Sequence, residues 1–479
     1  MTHTWRPRPG DVVVRRPRQA QLRPIVFQLT FPKPPSPGLA SPVTIVYGFL
    51  LLVVVGTGLL LLPWANREGQ VTPFMTALFT ATSAATVTGL VVVDTASYWT
   101  TFGHGVIGSL ILVGGLGWMT LASFLLLVIG QRLSLAHQLV MQQPLGLQQV
   151  GHVIRVMRQM VLTFLVIQVV GGVVLAWLFK GLLSEASWGT ALWQGFFHSV
   201  AAFNNAGFAI LPGSQNLSVL TLHVPTLVVM MALIILGGLS YPVMADLVRV
   251  RRWRRLALDT KMVVVASVAL WIAGTLVVLG FEYAHQATLG TLPVWGKAIN
   301  ALFFSVSART AGFTTVDFSG MNQATFFFIV ALMFIGTASA STGGGIRINT
   351  LGVLVATVVA SLRGQQYVNA FGREIPAQVV HRALAVASLG LGMVFIAAFL
   401  LTFIEPQGDF LSFLFEVVSA FGTVGLSTGV TPQLSVAGKI IIILTMLVGR
   451  LGPMGLALAL LPRERPAMVR FAQEPVRIA

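Results

Sequence analysis

Apolar stretches of two lengths alternate along the 479-residue chain, and no other feature constrains the fold as tightly. Eight of them, roughly 42–64, 103–130, 158–181, 220–246, 262–284, 324–360, 382–404 and 436–461, could each cross a bilayer, which takes about 20 apolar residues. Shorter ones lie between the first and second, third and fourth, fifth and sixth, and seventh and eighth, near 73–87, 190–205, 295–310 and 411–423. Too short to span, they read as buried or re-entrant helices. The order is long, short, long, four times over.

Composition agrees. Hydrophobic residues make up 55% and charged residues 9%, against about 25% charged in ordinary soluble domains. Soluble, collagenous, disordered and disulfide-rich classes are excluded, and the absence of Cys removes thiolate metal sites and cysteine nucleophiles. The formal charge of +16 is set by topology rather than nucleic acid, since Lys and Arg gather in alternate loops. They fill the N-terminal arm, the segment from Arg132 to Arg158, the run from Arg249 to Lys261, the loop Arg363–Arg382 and the tail beyond Arg463. The intervening loops hold most of the acids: Glu68, Asp94, Glu185, Glu282, Asp317, Glu405, Asp409 and Glu416. The positive-inside rule then puts both termini in the cytoplasm. Residues 1–40, basic and Pro-rich without a signal-peptide core, read as a cytosolic arm able to touch anionic lipid.

The four short segments resemble one another. Aligned on Gly89, Gly207, Gly312 and Gly425, they carry a large apolar residue just after the glycine (Leu90, Phe208, Phe313, Leu426). A small residue stands five before it (Ala84, Ala202, Ser307, Ala420). Four agreeing copies predict an internal repeat. A re-entrant segment exposes backbone carbonyls at membrane depth, tolerated only inside protein or beside a water-filled cavity. Glycine can turn carbonyls toward one axis, and four such loops can replace the hydration shell of a monovalent cation. The reading is an all-α polytopic membrane protein. Four pseudo-symmetric units of helix, re-entrant pore helix with its loop, and helix surround one central cation pore, with eight spans. The units are bounded at 41–132, 133–250, 251–362 and 363–462, with a cytosolic tail at 463–479.

The strings TVTGL, NNAGF, RTAGF and GTVGLS resemble the filter loops of the Trk/Ktr/HKT superfamily of potassium transporters over roughly residues 40–462. Lacking the extra N-terminal helix pair of Trk-type subunits, the chain is most similar to the membrane subunits of Ktr potassium uptake systems. The resemblance implies potassium uptake across the plasma membrane, the bacterial cytoplasmic membrane. Ions would be held by the carbonyls of Thr86, Val87, Thr88 and Gly89, of Asn204, Asn205, Ala206 and Gly207, of Arg309, Thr310, Ala311 and Gly312, and of Gly422, Thr423, Val424 and Gly425. It further implies an intramembrane gating loop at Gly336, Thr337, Ala338, Ser339, Ala340, Ser341, Thr342, Gly343, Gly344 and Gly345, with Arg450 just under the filter. A homodimer and a cytosolic nucleotide-binding regulatory partner of the KtrA type are implied too. No organic cofactor is implied for this chain. Potassium is the implied ion because all four filter positions are glycine. Sodium stays open as a coupling or activating ion, as does a sodium-permeable member of the superfamily.

Physical reasoning adds expectations of its own. The stretch 324–360 would measure about 55 Å as one helix, against a hydrocarbon core of about 30 Å, so a break at Gly336–Gly345 is expected. Arg309, Arg347 and Arg450 lie in apolar surroundings, where a charge costs about 2.5–3.5 kcal/mol or more. Arg450 is read as repelling a leaving cation, Arg309 as bracing its filter loop, Arg347 as ending the glycine-rich break and Glu416 as a candidate partner for a filter arginine. Asp94 and Asp317 fall at the outer mouth, where acids concentrate cations. His198 is read as packed or capping, and Gly114, Gly115 and Gly117 as packing glycines. Trp64, Trp99, Trp188 and Trp253 are read as interface anchors. No His spacing suits a metal and no acid pair suits an enzyme. A secondary transporter with inverted repeats fits less well, because the four units read as parallel.

Overall fold

The computed structural model describes residues 42–117, 153–182, 187–211, 217–317 and 320–452. The expected cytosolic arm, the tail and the second part of the 103–130 stretch lie outside them. Four short helices organise the rest: Phe74–Ala85, Trp188–Phe203, Val294–Ser307 and Phe410–Gly422. Each follows a longer apolar helix, respectively Pro42–Leu61, Val153–Leu182, Leu258–Glu282 and Ala377–Ile404. Each precedes another: Thr101–Leu116, Val224–Gly238, Gln323–Phe334 and Val436–Leu451. Local signals start the short helices. Ser187 and Asp409 cap the second and fourth by accepting from Thr190 N and Ser412 N, and Pro73 and Pro293 precede the first and third. Such side-chain caps answer backbone donors that a helix start leaves orphaned.

The burial pattern is that of a protein in lipid. The last two turns of each short helix are buried almost throughout. The long helices turn apolar residues outward: Val54 is 66% exposed, Leu276 64%, Phe395 72% and Phe403 77%. Apolar surface of that extent marks contact with a bilayer or a partner. Among the described residues, Ile154–Leu182, Leu258–Glu282 and Ala377–Ile404 are each long and apolar enough to cross a membrane. Val224–Gly238 and Tyr241–Val250, taken together as one broken span, make a fourth. The chain is a multi-pass membrane protein.

Three expectations change here. The stretch 220–246 is not one helix, because its two halves meet at 102°. The Gly237 backbone lies so close to the Phe203 carbonyl that a Cβ would overlap it, and Leu239 and Ser240 are extended before Pro242 opens the next helix. Packing against the second short helix ends the first half, and proline, lacking a donor, starts the second. Trp99 is fully buried and bridged to Asn66, so it is a core residue rather than an interface anchor. Trp64, Trp188 and Trp253 are exposed. The helical fold carries one short antiparallel hairpin among the described residues, Asn369–Ala370 against Arg373–Glu374. The 324–360 stretch breaks where expected but more widely, with helix ending at Phe334 and resuming at Ile348.

Candidate functional site

Each short helix runs into its glycine through a tight backbone turn. The N–H two residues before the glycine bonds back to the carbonyl three earlier: Val87 to Ala84 at 3.1 Å, Asn205 to Ala202 at 3.1 Å, Thr310 to Ser307 at 3.2 Å and Thr423 to Ala420 at 3.2 Å. The next N–H reaches further in three loops: Thr88 to Ser83, Ala206 to Ala201 and Val424 to Ser419, each 2.8 Å. In the third, Ala311 bonds to Ser307 instead. That loop is wound tighter, and Thr310 avoids the positive φ of Val87 (58°), Asn205 (58°) and Thr423 (49°). The glycines themselves have φ of 91°, 69°, 70° and 91°, a region that costs a residue with a Cβ about 1–2 kcal/mol. Ser83 and Ser419 hold Gly89 N and Gly425 N through their hydroxyls, at 3.0 and 3.1 Å. The second and third loops have Ala201 and Val306 in that place.

The four loops close into a ring in chain order. A Cβ built on Gly89 would overlap the Ala206 carbonyl, one on Gly312 the Val424 carbonyl, and one on Gly425 the Thr88 carbonyl. On Gly207 it would stand 2.8 Å from the Ala311 carbonyl. Each glycine thus backs onto the carbonyl just before the next loop's glycine, and the fourth returns to the first. Of the sixteen residues singled out in these loops, Gly207 and Gly425 are half-buried and the rest buried.

The glycine-rich break packs against this ring. Ile335 and Ile346 pair as a bridge, with Gly336 N on Ile346 O at 2.8 Å, so the loop leaves and re-enters through one neck. Its tip touches three of the four ring loops. Asn205 Nδ2 donates to Thr342 Oγ1 at 2.9 Å, while Cβ atoms on Gly343 and Gly344 would run into Thr310 and Thr423. Thr342 also donates to Gly237 O, through N at 3.3 Å and Oγ1 at 2.9 Å. Thr337 and Ala338 are buried, Ala340 and Ser341 half-buried and Ser339 exposed. Ala340 and Gly345 have positive φ, and Gly345 N reaches Gly449 O at 3.3 Å.

The arginines take up this backbone. Arg450 donates to the carbonyls of Thr342, Gly114 and Gly115, tying the break to the end of the helix Thr101–Leu116. Arg347 donates to Gly343 O. Arg309 donates to Gly336 O at 2.9 Å and lies over the Trp271 ring at 5.7 Å. Glu416 pairs with no arginine, contrary to expectation. Buried at the middle of the fourth short helix, its carboxylate accepts from Ser427 Oγ, Thr428 N, Thr428 Oγ1 and Thr431 Oγ1. It holds the segment that leaves the fourth loop. His198 occupies the matching position in the second loop, nine residues before the glycine, and does the same. Its Nδ1 sits 2.8 Å from Gln194 O and its Nε2 3.3 Å from Ile210 N, a pairing that only the neutral Nδ1–H tautomer satisfies at both ends. Asp94 is exposed and caps the short helix Thr95–Tyr98, and Asp317 is exposed as well. Gly114 and Gly115 are contact glycines: a Cβ would overlap Ala85 O and Asn204 Oδ1 respectively. Among the described residues no cluster of three His, Asp or Glu could hold a metal ion.

Comparison with known proteins points one way. A family model described as TrkH, cation transport protein, matches residues 39–466. The Ktr system potassium uptake protein B of Bacillus subtilis (strain 168) is 38% identical over 413 residues, covering 86% of this chain and 91% of that protein. The potassium/sodium uptake protein NtpJ of Enterococcus hirae is 36% identical over 435 residues, covering 90% and 95%. The crystal structure of the potassium transporter TrkH from Vibrio parahaemolyticus aligns with a TM-score of 0.67 at 18% identity, over 88% of this chain and 84% of that one. That last likeness is one of fold.

Proposed function

This chain belongs to the TrkH family of cation transport proteins, and we propose that it is the pore-forming membrane subunit of a potassium uptake system. The observation that carries the reading is the closed ring of four glycine loops. Left-handed residues alternating along a loop let successive carbonyls face one side, and carbonyls gathered about one axis replace the water around a dehydrated cation. In this reading, potassium is held by backbone oxygens of Thr86–Gly89, Asn204–Gly207, Arg309–Gly312 and Gly422–Gly425. The eight spans form four parallel units, 41–132, 133–250, 251–362 and 363–462, flanked by cytosolic segments at 1–40 and 463–479. The loop Gly336–Gly345 lies across the cytoplasmic side of the ring as the gate, and Arg450 pins it while repelling a cation in transit. Two copies assemble as a homodimer under a cytosolic nucleotide-binding partner. The relative named for potassium and sodium uptake favours a second reading, in which sodium also passes or activates.

Flux into proteoliposomes tests both. Rubidium uptake driven by its own gradient, suppressed by external potassium and raised by the cytosolic partner, is expected. Sodium uptake at a comparable rate would support the second reading, and no flux of either ion would refute both.

A further inference from the structure

Beside the third loop lies a cavity that potassium transport leaves without a role. It has room for one water-sized occupant and is bounded by three elements that meet there. Gly238 and Leu239 come from the bent helix, Ser267 and Trp271 from Leu258–Glu282, and Thr337 from the glycine-rich break, with Arg309 and Thr310 of the third loop facing them. Arg309 is 2% exposed, and its Nε–H has no hydrogen-bond partner. One guanidinium nitrogen is answered by Gly336 O. No carboxylate among the described residues is paired with the side chain.

The lining selects the sign of the occupant. A guanidinium and the hydroxyls of Ser267 and Thr310 can donate, while Thr337 Oγ1 gives its proton to Ser341 Oγ; no carboxylate lines the space, and the fixed positive charge excludes a cation. Water would answer the orphaned N–H but leave a buried charge uncompensated, which is costly away from bulk solvent. A monatomic anion answers both. We propose that this cavity is a halide site, occupied by chloride, which neutralises Arg309 behind the ring of glycine loops. The consequence for transport rests on the potassium-uptake reading. With chloride in place the third loop presents its carbonyls to a cation without a bare positive charge behind them, and with the site empty cation entry slows.

The test separates binding from transport. Crystals of the full chain grown with potassium bromide should give an anomalous bromide peak between Arg309, Ser267 and Thr310. The thermal midpoint of the solubilised protein should rise with chloride but not with gluconate at constant ionic strength. Ser267→Ala, which removes one donor and keeps the Cβ, should weaken half-saturation by chloride about tenfold, the worth of one hydrogen bond to an ion. Arg309→Gln should abolish the chloride dependence; should it fail to fold, Ser267→Ala carries the comparison alone. In proteoliposomes, rubidium uptake should fall severalfold when gluconate replaces chloride. Ordered water without bromide in the cavity, or a wild-type midpoint indifferent to chloride, overturns the proposal. Bromide binding in a protein that moves no rubidium would leave the site standing and refute only the transport reading.

Discussion

Alanine placed at each ring glycine in turn should not act equally, and the structure says which position is mild. All four glycines have positive φ, so each variant carries about 1–2 kcal/mol of backbone strain. What differs is the neighbour. At Gly207 the new Cβ stands 2.8 Å from Ala311 O, and a shift of about 0.6 Å restores ordinary contact at 3.4 Å. At Gly89, Gly312 and Gly425 the Cβ would overlap the next loop's carbonyl and lie 3.0 Å from its glycine Cα, against 3.5 Å at Gly207. Those three variants must push a carbonyl out of the ring, an overpacking cost of about 1–3 kcal/mol. If that cost falls on the bound potassium, rubidium-over-sodium selectivity drops by at least about fivefold. Gly207→Ala should lose only about threefold, some 0.7 kcal/mol. Competition between labelled rubidium and sodium in proteoliposomes reads the ratio directly, with expression and monodispersity checked alongside. Equal losses at all four positions, or the largest at Gly207, would refute the idea that the ring contacts set selectivity.

Three further outcomes follow from contacts around the ring. Thr342→Val removes the hydroxyl that joins Asn205 to Gly237 O; it should destabilise the closed loop by about 1–3 kcal/mol, and shortening Thr337–Thr342 should go further, giving flux indifferent to the cytosolic partner. Partner dependence equal to the parent's would place the gate elsewhere. Arg450→Ala removes the donor that ties the Thr342 carbonyl to those of Gly114 and Gly115 and should raise basal rubidium uptake; reduced uptake from a well-folded protein would mean that the arginine supports the conducting state. Glu416→Ala strands Thr428 N–H and should lower the thermal midpoint by about 1–3 °C, the effect of about 1–3 kcal/mol in a chain this long, with Glu416→Gln recovering most of it; a midpoint unchanged in both would show that this carboxylate does not hold the outer segment.

The sequence carried what depends on periodicity and on repeated local chemistry. Short apolar segments, agreeing columns around four glycines and an over-long stretch with a glycine-rich centre each have a local cause, and all are readable one segment at a time. What it hid depends on distant partners. Glu416 and His198 stand at the same offset from their glycines, a correspondence visible in the alignment, yet an acid among arginines suggested an ion pair. The structure instead gives both side chains the task of holding the chain as it leaves the loop. The bend at Leu239 had one local sign, Pro242, but its cause is the approach of Gly237 to Phe203 O. Trp99 looks like an interface anchor until its pairing with Asn66, far back in the chain, is seen. The tighter winding of the third loop has a clue in the missing serine at Val306, though Ala201 shows that such an absence alone does not decide it.

Closure of the ring in chain order also sets a schedule for biogenesis. The seam that completes it joins Gly425 to Thr88, and beneath it Arg450 reaches back 336 residues to Gly114. At about 5–20 residues per second, a ribosome takes on the order of 20–70 s to make that interval. Until the fourth loop is made, the Thr88 side of the first loop has no neighbour and the ring stays open. Nascent chains arrested anywhere before the last quarter should therefore be prime substrates for membrane quality control. A nonsense mutation near the C-terminal end should remove the protein rather than leave a leaky pore.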